Sequence, residues 1–378
     1  MKHRTLAVWL LLPLLASCGN AKDVTIAAYF AMNEKTPLVY RDGFKVLQLT
    51  DIHWSVNTNA KVQGEYLTRV VKEANPDFIM ITGDSLLGAT TSTAETLMKV
   101  IESWQIPYGT TFGNHDREGE YSPEWLTQLW SSGKYSYYNE VQDNVFGRSN
   151  YVIPLTDGAG KPVWNLYSID SNSYPESKNG VYYDYDVIHT DQVEWFKATA
   201  AESKRLAGAT VPGLAYFHIP LFEYCYQYVN EHKNNTQPVL GEILETSSFS
   251  TAPEEIKKLF ADAGMTTEDI KFWPGYMNTG FFDAGVANGV QGFFCGHDHS
   301  NDWGDYYTST AGKGYVSYGV KSGTELYYTH SDKRNVDLIG GSLVTLRGNH
   351  FDLEHIYVPT DPAAAITRSA SISIEVNK

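Results

Sequence analysis

The sequence feature that most constrains the fold is an alternation of short apolar runs with longer amphipathic ones between residues 44 and 112. Phe44–Leu49, Phe78–Ile81 and Ile106–Phe112 have the length and composition of buried strands. Lys61–Ala74 and Ser92–Trp104 have helical spacing, with Ser92 predicted as the N-cap of the second helix. A β-α-β-α-β order predicts parallel strands joined by right-handed helical crossovers.

The rest of the chain first repeats this pattern and then changes it. Further elements are predicted as strands at Val163–Ile169, Val211–Phe217 and Val290–Phe294 and as helices at Asp191–Leu206 and Pro253–Ala263. After Ser300 only short strands follow, at Gly314–Val320, Ser342–Arg347 and Ile372–Val376. A sheet that begins with parallel strands and ends with hairpins predicts an α/β fold, a two-sheet β-sandwich flanked by helices. We expect a single domain over residues 38–378, with the tail after Tyr357 supplying an edge strand.

Arg41-Asp42-Gly43 is a turn signal between Leu38–Tyr40 and the strand that begins at Phe44. Two apolar runs separated by so short a polar turn predict a β-hairpin.

Residues 1–17 have the pattern of a bacterial lipoprotein signal peptide. Basic positions 2–4 precede the apolar run Leu6–Ala16, which is far shorter than the roughly 20 residues needed to cross a bilayer. Leu15-Ala16-Ser17-Cys18 looks like a lipobox, in which cleavage before the cysteine leaves an acylated Cys18; a plain signal peptide is the alternative. We therefore expect an exported protein of the cell envelope, at the periplasm or cell surface, anchored only by this lipid, with residues 18–37 as a tether.

The net charge of −15 makes nucleic acid an unfavourable partner. A phosphorylated substrate would therefore need a local source of positive charge. Cys225 and Cys295 could form a disulfide after export, but Cys295 ends an apolar run, which favours two thiols.

Five polar motifs each follow a predicted strand directly. They are Asp51-Ile52-His53, Gly83-Asp84, Gly113-Asn114-His115-Asp116, Phe217-His218-Ile219-Pro220 and Gly296-His297-Asp298-His299. Open α/β sheets gather their sites at the carboxyl ends of strands, so these loops are expected to converge. One such motif alone would be an ordinary polar loop, but five in order indicate a site.

Imidazole, carboxylate and amide oxygen ligands suit Zn, Fe or Mn. Residues i and i+2 of an extended segment point to one face, so Asp51 and His53 can hold one ion, and His297 with His299 can do the same. If these pairs hold different ions, a carboxylate must bridge them, and Asp84 follows its strand alone.

With these motifs, the sequence resembles the calcineurin-like metallophosphoesterase superfamily from about Phe44 to Asp302. It is most similar to the purple-acid-phosphatase-like branch with Asp-x-His in its first motif. The Asn278-Thr279-Gly280-Phe281-Phe282 segment is also similar to that branch. The resemblance implies that the fold is the αββα sandwich of this superfamily.

The resemblance also implies a role for each motif residue. Asp51, His53, Asp84 and His299 would hold the first ion, and Asp84, Asn114, His218 and His297 the second. His115 would be catalytic, contacting the phosphate or protonating the leaving oxygen. True purple acid phosphatases have a tyrosine three residues after the bridging aspartate, where this chain has Leu87. Without a tyrosinate, the two divalent or mixed-valence ions could be Fe, Zn or Mn.

Such a pair of ions predicts hydrolysis of phosphate esters by a metal-bridging hydroxide, since coordination lowers the pKa of water from about 15.7 towards 7. Small phosphomonoesters or exposed phosphate groups are the expected substrates. The alternative is a phosphodiesterase acting on nucleotides or glycerophosphodiesters. A binding protein that keeps the fold without the activity is disfavoured, because every expected ligand position is filled.

Two side chains next to His115 are each compatible with more than one role. Asp116 could orient His115, although a capping or solvent-facing role is equally compatible with the sequence. Arg117 could clamp phosphate, but exposure is the commoner state of an arginine. Tyrosines cluster at residues 135–138, 182–185 and 224–228, where they would either line an aromatic pocket or lie half-buried at the surface.

Overall fold

The computed structural model describes residues 35, 37–140, 145–174, 185–234, 257, 258, 261, 262 and 278–375. Two large sheets stack in this part of the chain, with helices packed against them. This arrangement confirms the predicted α/β sandwich. The predicted signal peptide, the lipobox and most of the predicted helix 253–263 lie outside the described residues.

The strands, in chain order, are β1 (Leu38–Val39), β2 (Phe44–Leu49), β3 (Phe78–Thr82), β4 (Tyr108–Thr111), β5 (Tyr151–Thr156), β6 (Pro162–Ser168), β7 (Gly213–Tyr216), β8 (Val290–Cys295), β9 (Gly304–Ser309), β10 (Gly312–Tyr318), β11 (His330–Ser331), β12 (Val336–Asp337), β13 (Gly340–Leu346), β14 (Phe351–Tyr357), β15 (Thr367–Arg368) and β16 (Ile372–Ile374). The helices are α1 (Ala60–Ala74), α2 (Thr91–Ser103), α3 (Pro123–Ser132), α4 (Thr190–Ala207), α5 (Phe222–Asn234) and α6 (Phe281–Ala287).

Sheet I has the strand order β1-β5-β6-β7-β8-β10-β9. Strands β6, β7 and β8 are parallel neighbours, as helical crossovers require. Sheet II has the order β15-β14-β13-β2-β3-β4, and β16 pairs with β14. Here β2, β3 and β4 are parallel, while β13 and β14 add an antiparallel half. Parallel strands therefore lie in both sheets, and the site described below begins where they end.

The predicted hairpin at residues 38–49 is wrong. Strand β1 pairs in parallel with β5 of sheet I, whereas β2 lies inside sheet II. The turn itself forms, because the Phe44 amide donates to the Arg41 carbonyl over 3.0 Å. It redirects the chain from one sheet to the other. Turn propensity fixes the local bend and not which strands pair.

The two sheets contact each other through buried polar and aromatic groups. The Tyr151 hydroxyl of β5 accepts from the Thr110 amide of β4 and donates to the Thr110 carbonyl, both over 2.7 Å. The rings of Phe294 on β8 and Phe351 on β14 lie 5.8 Å apart. Gln48 of β2 donates to the Cys295 carbonyl over 2.8 Å. These contacts fix how the strand ends of the two sheets face each other.

Helix α2 begins at Thr91 and its N-cap is Thr90, so the prediction of Ser92 as the cap is wrong. The Thr90 side chain accepts from the Thr93 amide over 3.3 Å, which satisfies one exposed amide of the first turn. Thr90 and Ser92 are both good capping residues, and only the extended backbone at Thr90 makes it the cap.

Cys225 and Cys295 are both buried thiols and do not form a disulfide, as the apolar run before Cys295 predicted. Burial raises the pKa of both thiols well above its usual value. Among the described residues, no helix is both long and apolar enough to cross a membrane.

Candidate metal centre

All five predicted motifs lie at the carboxyl ends of parallel strands. Asp51, Asp84 and Asn114 follow β2, β3 and β4 of sheet II, and His218 and His297 follow β7 and β8 of sheet I. Loops from both layers of the sandwich therefore meet at one edge, and the centre is built across the gap between the sheets.

Asp51, His53 and His299 form one compact group of potential ligands. Their candidate atoms lie within 4.8 Å of one another, and all three side chains are buried. The Nε2 atoms of His53 and His299 are 2.9 Å apart, and His299 Nε2 is 3.5 Å from Asp51 Oδ1. Two imidazoles and a carboxylate at this spacing suit Zn, Fe or Mn.

Asp84, His218 and His297 form a second group of the same kind. Asp84 Oδ2 is 3.1 Å from His218 Nε2 and 3.8 Å from His53 Nε2 of the first group. Asp84 also belongs to a third group with His53 and His115. One carboxylate therefore faces both sets of ligands, which is the position that a bridging ligand requires.

Asn114 supplies the most specific sign that a cation belongs here. Its Nδ2 donates to the Tyr174 hydroxyl over 3.1 Å, which fixes the orientation of the amide. Its Oδ1 is buried, and no hydrogen-bond donor among the described residues reaches that atom. A buried oxygen without a donor is costly, and a metal ion would satisfy it. The residues present therefore fit the implied pair of ions.

The backbone at the ligands differs from the extended form that the i, i+2 argument assumed. Asp51 and His53 both have φ of 52°, Asp84 has 47° and His297 has 78°. Left-handed conformations of this kind are uncommon outside glycine and concentrate at functional sites. His297 and His299, which could share one ion by their spacing, lie in different groups: His299 with Asp51 and His53, and His297 with Asp84 and His218.

The glycines of the motifs allow the backbone to turn, and their lack of a side chain leaves space for the neighbouring candidate ligands. A Cβ on Gly83, where φ is +82°, would lie 2.6 Å from Cγ of His218. A Cβ on Gly113 would lie 2.2 Å from Asp84 Oδ1, although this glycine has no unusual φ. These strand ends can approach the ligands closely only without a side chain.

Comparison with known proteins matches residues 44–301 to the calcineurin-like phosphoesterase family. The chain belongs to the calcineurin-like phosphoesterases. Together with the ligand groups around Asp84, this membership makes it a metal-dependent phosphoester hydrolase with a dimetal centre.

Individual relatives of this phosphoesterase have contrasting names. "Probable inactive purple acid phosphatase 29" of Arabidopsis thaliana is 30% identical over 324 residues, covering 75% of this chain and 74% of the relative. "Phosphatase DCR2" of Saccharomyces cerevisiae is 27% identical over 301 residues, covering 73% of this chain and 47% of the relative. A dimetal phosphatase from Danio rerio shares the fold, with a TM-score of 0.51 at 12% identity, over 89% of this chain and 100% of that chain.

In this phosphoesterase, the pKa values of the buried histidines are suited to binding a cation. Burial lowers the pKa of His53 to about 4 and that of His297 to about 3, so both imidazoles are neutral near pH 7. Burial also opposes charge on His218, but the nearby Asp84 carboxylate outweighs it and raises the His218 pKa to about 10. A metal ion would take the place of that proton beside Asp84.

His115 lies at the mouth of the centre, with its side chain 29% exposed. Its Nε2 is 4.0 Å from Asp84 Oδ2, and its Nδ1 is 2.7 Å from Glu118 Oε2. Burial lowers the pKa of His115, but the charges of Asp84 and Glu118 outweigh that effect and raise it. Glu118 in turn accepts from the Tyr174 hydroxyl over 2.9 Å. A chain of contacts thus joins Asn114, Tyr174, Glu118 and His115.

Asp116 does not orient His115. Its two buried carboxylate oxygens accept from the Leu86 amide over 3.0 Å and from the Gly113 amide over 2.8 Å. Burial, with the charge of Asp84, raises the pKa of Asp116 to about 7. Its role is to tie the loop after β3 to the loop after β4.

Arg117 is neither an exposed arginine nor directed at the ligand groups. Its guanidinium pairs with the fully buried Asp170 carboxylate over 2.5 Å. Asp170 Oδ2 also accepts from the Arg148 amide over 2.6 Å. The ion pair therefore anchors the loop after β4 against the segment that follows β6.

Lys321, which the sequence did not indicate, is buried beside the first group. Its Nζ donates to the Asp51 carbonyl over 2.7 Å, and its charge lowers the pKa of His53. Nothing in the local sequence marked this lysine, because it follows β10, which supplies no predicted ligand. Glu118 and Tyr174 were missed too; Glu118 lies three residues after His115, a spacing that could have indicated the contact.

Proposed function

We propose that this phosphoesterase is a phosphomonoesterase that acts on small or exposed phosphate groups. The observation that carries the proposal is the juxtaposition of Asp84, shared by two ligand groups, with a His115 ring 4.0 Å away. A dianionic monoester needs more positive charge than a monoanionic diester. His115, held by Glu118, and the buried Lys321 add that charge beside the ions.

Seven residues would hold the ions, and His115 would donate a proton. Asp51, His53, Asp84 and His299 would hold one ion, and Asp84, Asn114, His218 and His297 the other. When bound, such ions supply an activated water and stabilise the charge on a phosphate ester. His115, kept in place by Glu118, gives a proton to the leaving oxygen at the mouth of the centre.

The donor set favours Zn, Fe or Mn over Mg or Ca, because imidazole nitrogens outnumber carboxylates. The half-buried Leu87 takes the place of a tyrosinate ligand. We therefore propose a pair of divalent or mixed-valence ions without a tyrosinate charge-transfer band in the absorption spectrum.

The ester preference is tested by comparing p-nitrophenyl phosphate with bis-p-nitrophenyl phosphate, with Mn or Zn added. We expect a higher kcat/KM on the monoester, because only it presents two charges to the cationic centre. A clearly faster rate on the diester would overturn the monoesterase proposal in favour of a phosphodiesterase.

Asp84→Asn is the matched variant for this assay. It keeps the shape of the side chain and removes the shared charge, so bound metal should fall from about two ions per chain and turnover should collapse. Elemental analysis of the purified variant and the wild type measures the first effect. Full turnover by the variant would contradict the enzymatic assignment itself.

A relative that is named inactive does not imply that this chain is inactive. The Arabidopsis relative is inactive by name, whereas this chain has every expected ligand residue in its sequence, and six of the seven lie in compact groups. Fewer than about one ion per chain after gentle purification would support a binding protein instead.

We further propose that the protein is exported and anchored through a lipid on Cys18. The basic positions 2–4, the short apolar run and the lipobox-like residues 15–18 support this location. With a net charge of −15, the partner we propose is a small phosphorylated molecule rather than a nucleic acid. Labelling with a radioactive fatty acid, lost in Cys18→Ser, tests the anchor.

A further inference from the structure

Two tyrosine rings each lie against one of the two ligand groups, and a third ring stacks on one of them. The Tyr327 ring centroid lies 4.8 Å from that of His299, in the first group. The Tyr185 ring lies 4.3 Å from that of His297, in the second, and it stacks on Tyr174 at 6.1 Å. Tyrosines therefore stand beside both ends of the proposed ion pair.

Two of these rings are unusually open to solvent for aromatic side chains. Tyr327 is 59% exposed and Tyr174 is 51% exposed, although each contacts the centre. Large apolar surfaces left open beside a buried polar site are typical of a binding groove. Leu326, next to Tyr327, is 49% exposed as well.

The segment that precedes Tyr327 is hydrogen-bonded to the loop that carries Asp51. The Ser322 amide donates to the Thr50 carbonyl over 2.8 Å, and the Gly323 amide donates to the Asp51 carbonyl over 3.2 Å. Leu326 has a left-handed φ of 59°, which is strained for a residue with a Cβ. Such strain persists only where the surrounding structure imposes it, and it concentrates at ligand-binding positions.

The position of the rings determines what they could contact. Bound ions would hold the phosphate of a substrate, and the rest of the ester would extend out of the centre. The exposed rings of Tyr327 and Tyr174 are then open to contact with that ester group. A planar ring in that group could stack on tyrosine, whereas an aliphatic group gains less from such a contact.

We propose that Tyr327, with Tyr174 and Tyr185, forms a binding site for a planar aromatic ring on the ester side of the substrate. This inference rests on the proposed phosphomonoesterase function and narrows its substrates to aryl or nucleoside phosphates. Tyr327 is the residue to test, because the Tyr174 hydroxyl also contacts Asn114 and Glu118.

A binding measurement tests the site without depending on turnover. Phenylphosphonate and methylphosphonate have a carbon–phosphorus bond that a phosphoesterase does not hydrolyse, and they differ in the ring. Each is titrated into the metal-loaded protein in a calorimeter, at an alkaline pH at which both are dianions. We expect the phenyl compound to bind about tenfold more tightly, as stacking on an aromatic side chain predicts.

Tyr327→Ala should bring the ratio of the two Kd values close to one and leave methylphosphonate binding unchanged. Tyr327→Phe is the matched control, because it keeps the ring and should keep the ratio. A wild-type ratio near one, or a ratio unaffected by Tyr327→Ala, would overturn the proposal.

Turnover of AMP and ribose 5-phosphate separates this inference from the proposed function. The two esters share a leaving oxygen and differ in the base. If neither they nor p-nitrophenyl phosphate is hydrolysed while phenylphosphonate still binds through Tyr327, the proposed function fails and the ring site stands. If all three are hydrolysed but AMP has no advantage in kcat/KM over ribose 5-phosphate, the ring site fails and the function stands.

Discussion

At the scale of single residues, the carboxylate that matters to His115 is Glu118 and not its neighbour Asp116. A short 3-10 turn at His115–Arg117 brings positions three apart onto one side, so Glu118 meets Nδ1. Asp116 points inward to two backbone amides. The sequence shows both carboxylates near the histidine, and only the turn decides between them.

Glu118→Gln should move the alkaline limb of the kcat/KM profile to lower pH. A general acid works while protonated, so the rate falls as the pH rises through its pKa. Removing the Glu118 charge lowers the pKa that this carboxylate helps to raise. Near the optimum the loss should stay below the roughly 10²-fold expected when an acid is removed outright.

The exposed Glu120 provides the control for that experiment. Glu120→Gln removes the same charge two residues further along and should leave the pH profile where it is. An unchanged profile in Glu118→Gln as well would mean that Glu118 does not act through His115.

Residue types and motif order were enough to name candidate ligands that lie close together, but not their local geometry. Asp51 and His53 were expected on an extended segment, but both have left-handed backbones. Lys321 and Tyr174 could not be found at all, because they reach the centre through tertiary packing. Spacing along the chain contains no information on such contacts.

At the scale of elements, strand ends were the most predictable feature, because a buried strand and the polar loop after it are both visible in composition. Pairing was not. The turn at residues 41–43 looks like that of a hairpin, yet β1 and β2 belong to different sheets. Which strands become neighbours depends on long-range packing.

Gly83→Ala should release the second ion with little effect on the fold. The new Cβ would approach within 2.6 Å of the His218 ring, in addition to the cost of a left-handed alanine, about 1 kcal/mol. Gly208→Ala is the matched control, because its φ of +77° is similar and nothing lies within 4 Å of its Cβ position.

Elemental analysis and denaturant titration distinguish the two glycine variants. Gly208→Ala should lose about 1 kcal/mol of stability and keep its metal, whereas Gly83→Ala should lose more stability and also lose metal. Equal metal content in the two variants would show that the close approach at Gly83 is unimportant for His218.

At the scale of the whole molecule, the sandwich was predictable from the order of its elements, and the convergence of the loops followed from it. What could not be predicted is that the candidate ligands divide between the layers. Asp51, Asp84 and Asn114 come from sheet II, and His218 and His297 come from sheet I. Metal binding should therefore hold the two sheets together.

Removing metal with a chelator should lower Tm, and adding Zn or Mn back should restore it. A ligand at 100 times its Kd stabilises the state that binds it by about 2.7 kcal/mol. Scanning calorimetry across metal concentrations measures the effect. The Tm of Asp84→Asn should depend much less on the metal concentration. A wild-type Tm that does not change with metal would contradict a centre that spans both sheets.

The Tyr174 hydroxyl links the proposed aromatic-ring site to the proposed second ion. It accepts from Asn114, which faces the second ion, and donates to Glu118, which holds His115. A molecule packed on that ring and a cation on Asn114 therefore perturb one shared group. Thermodynamic reciprocity then requires each to change the affinity of the other by the same factor.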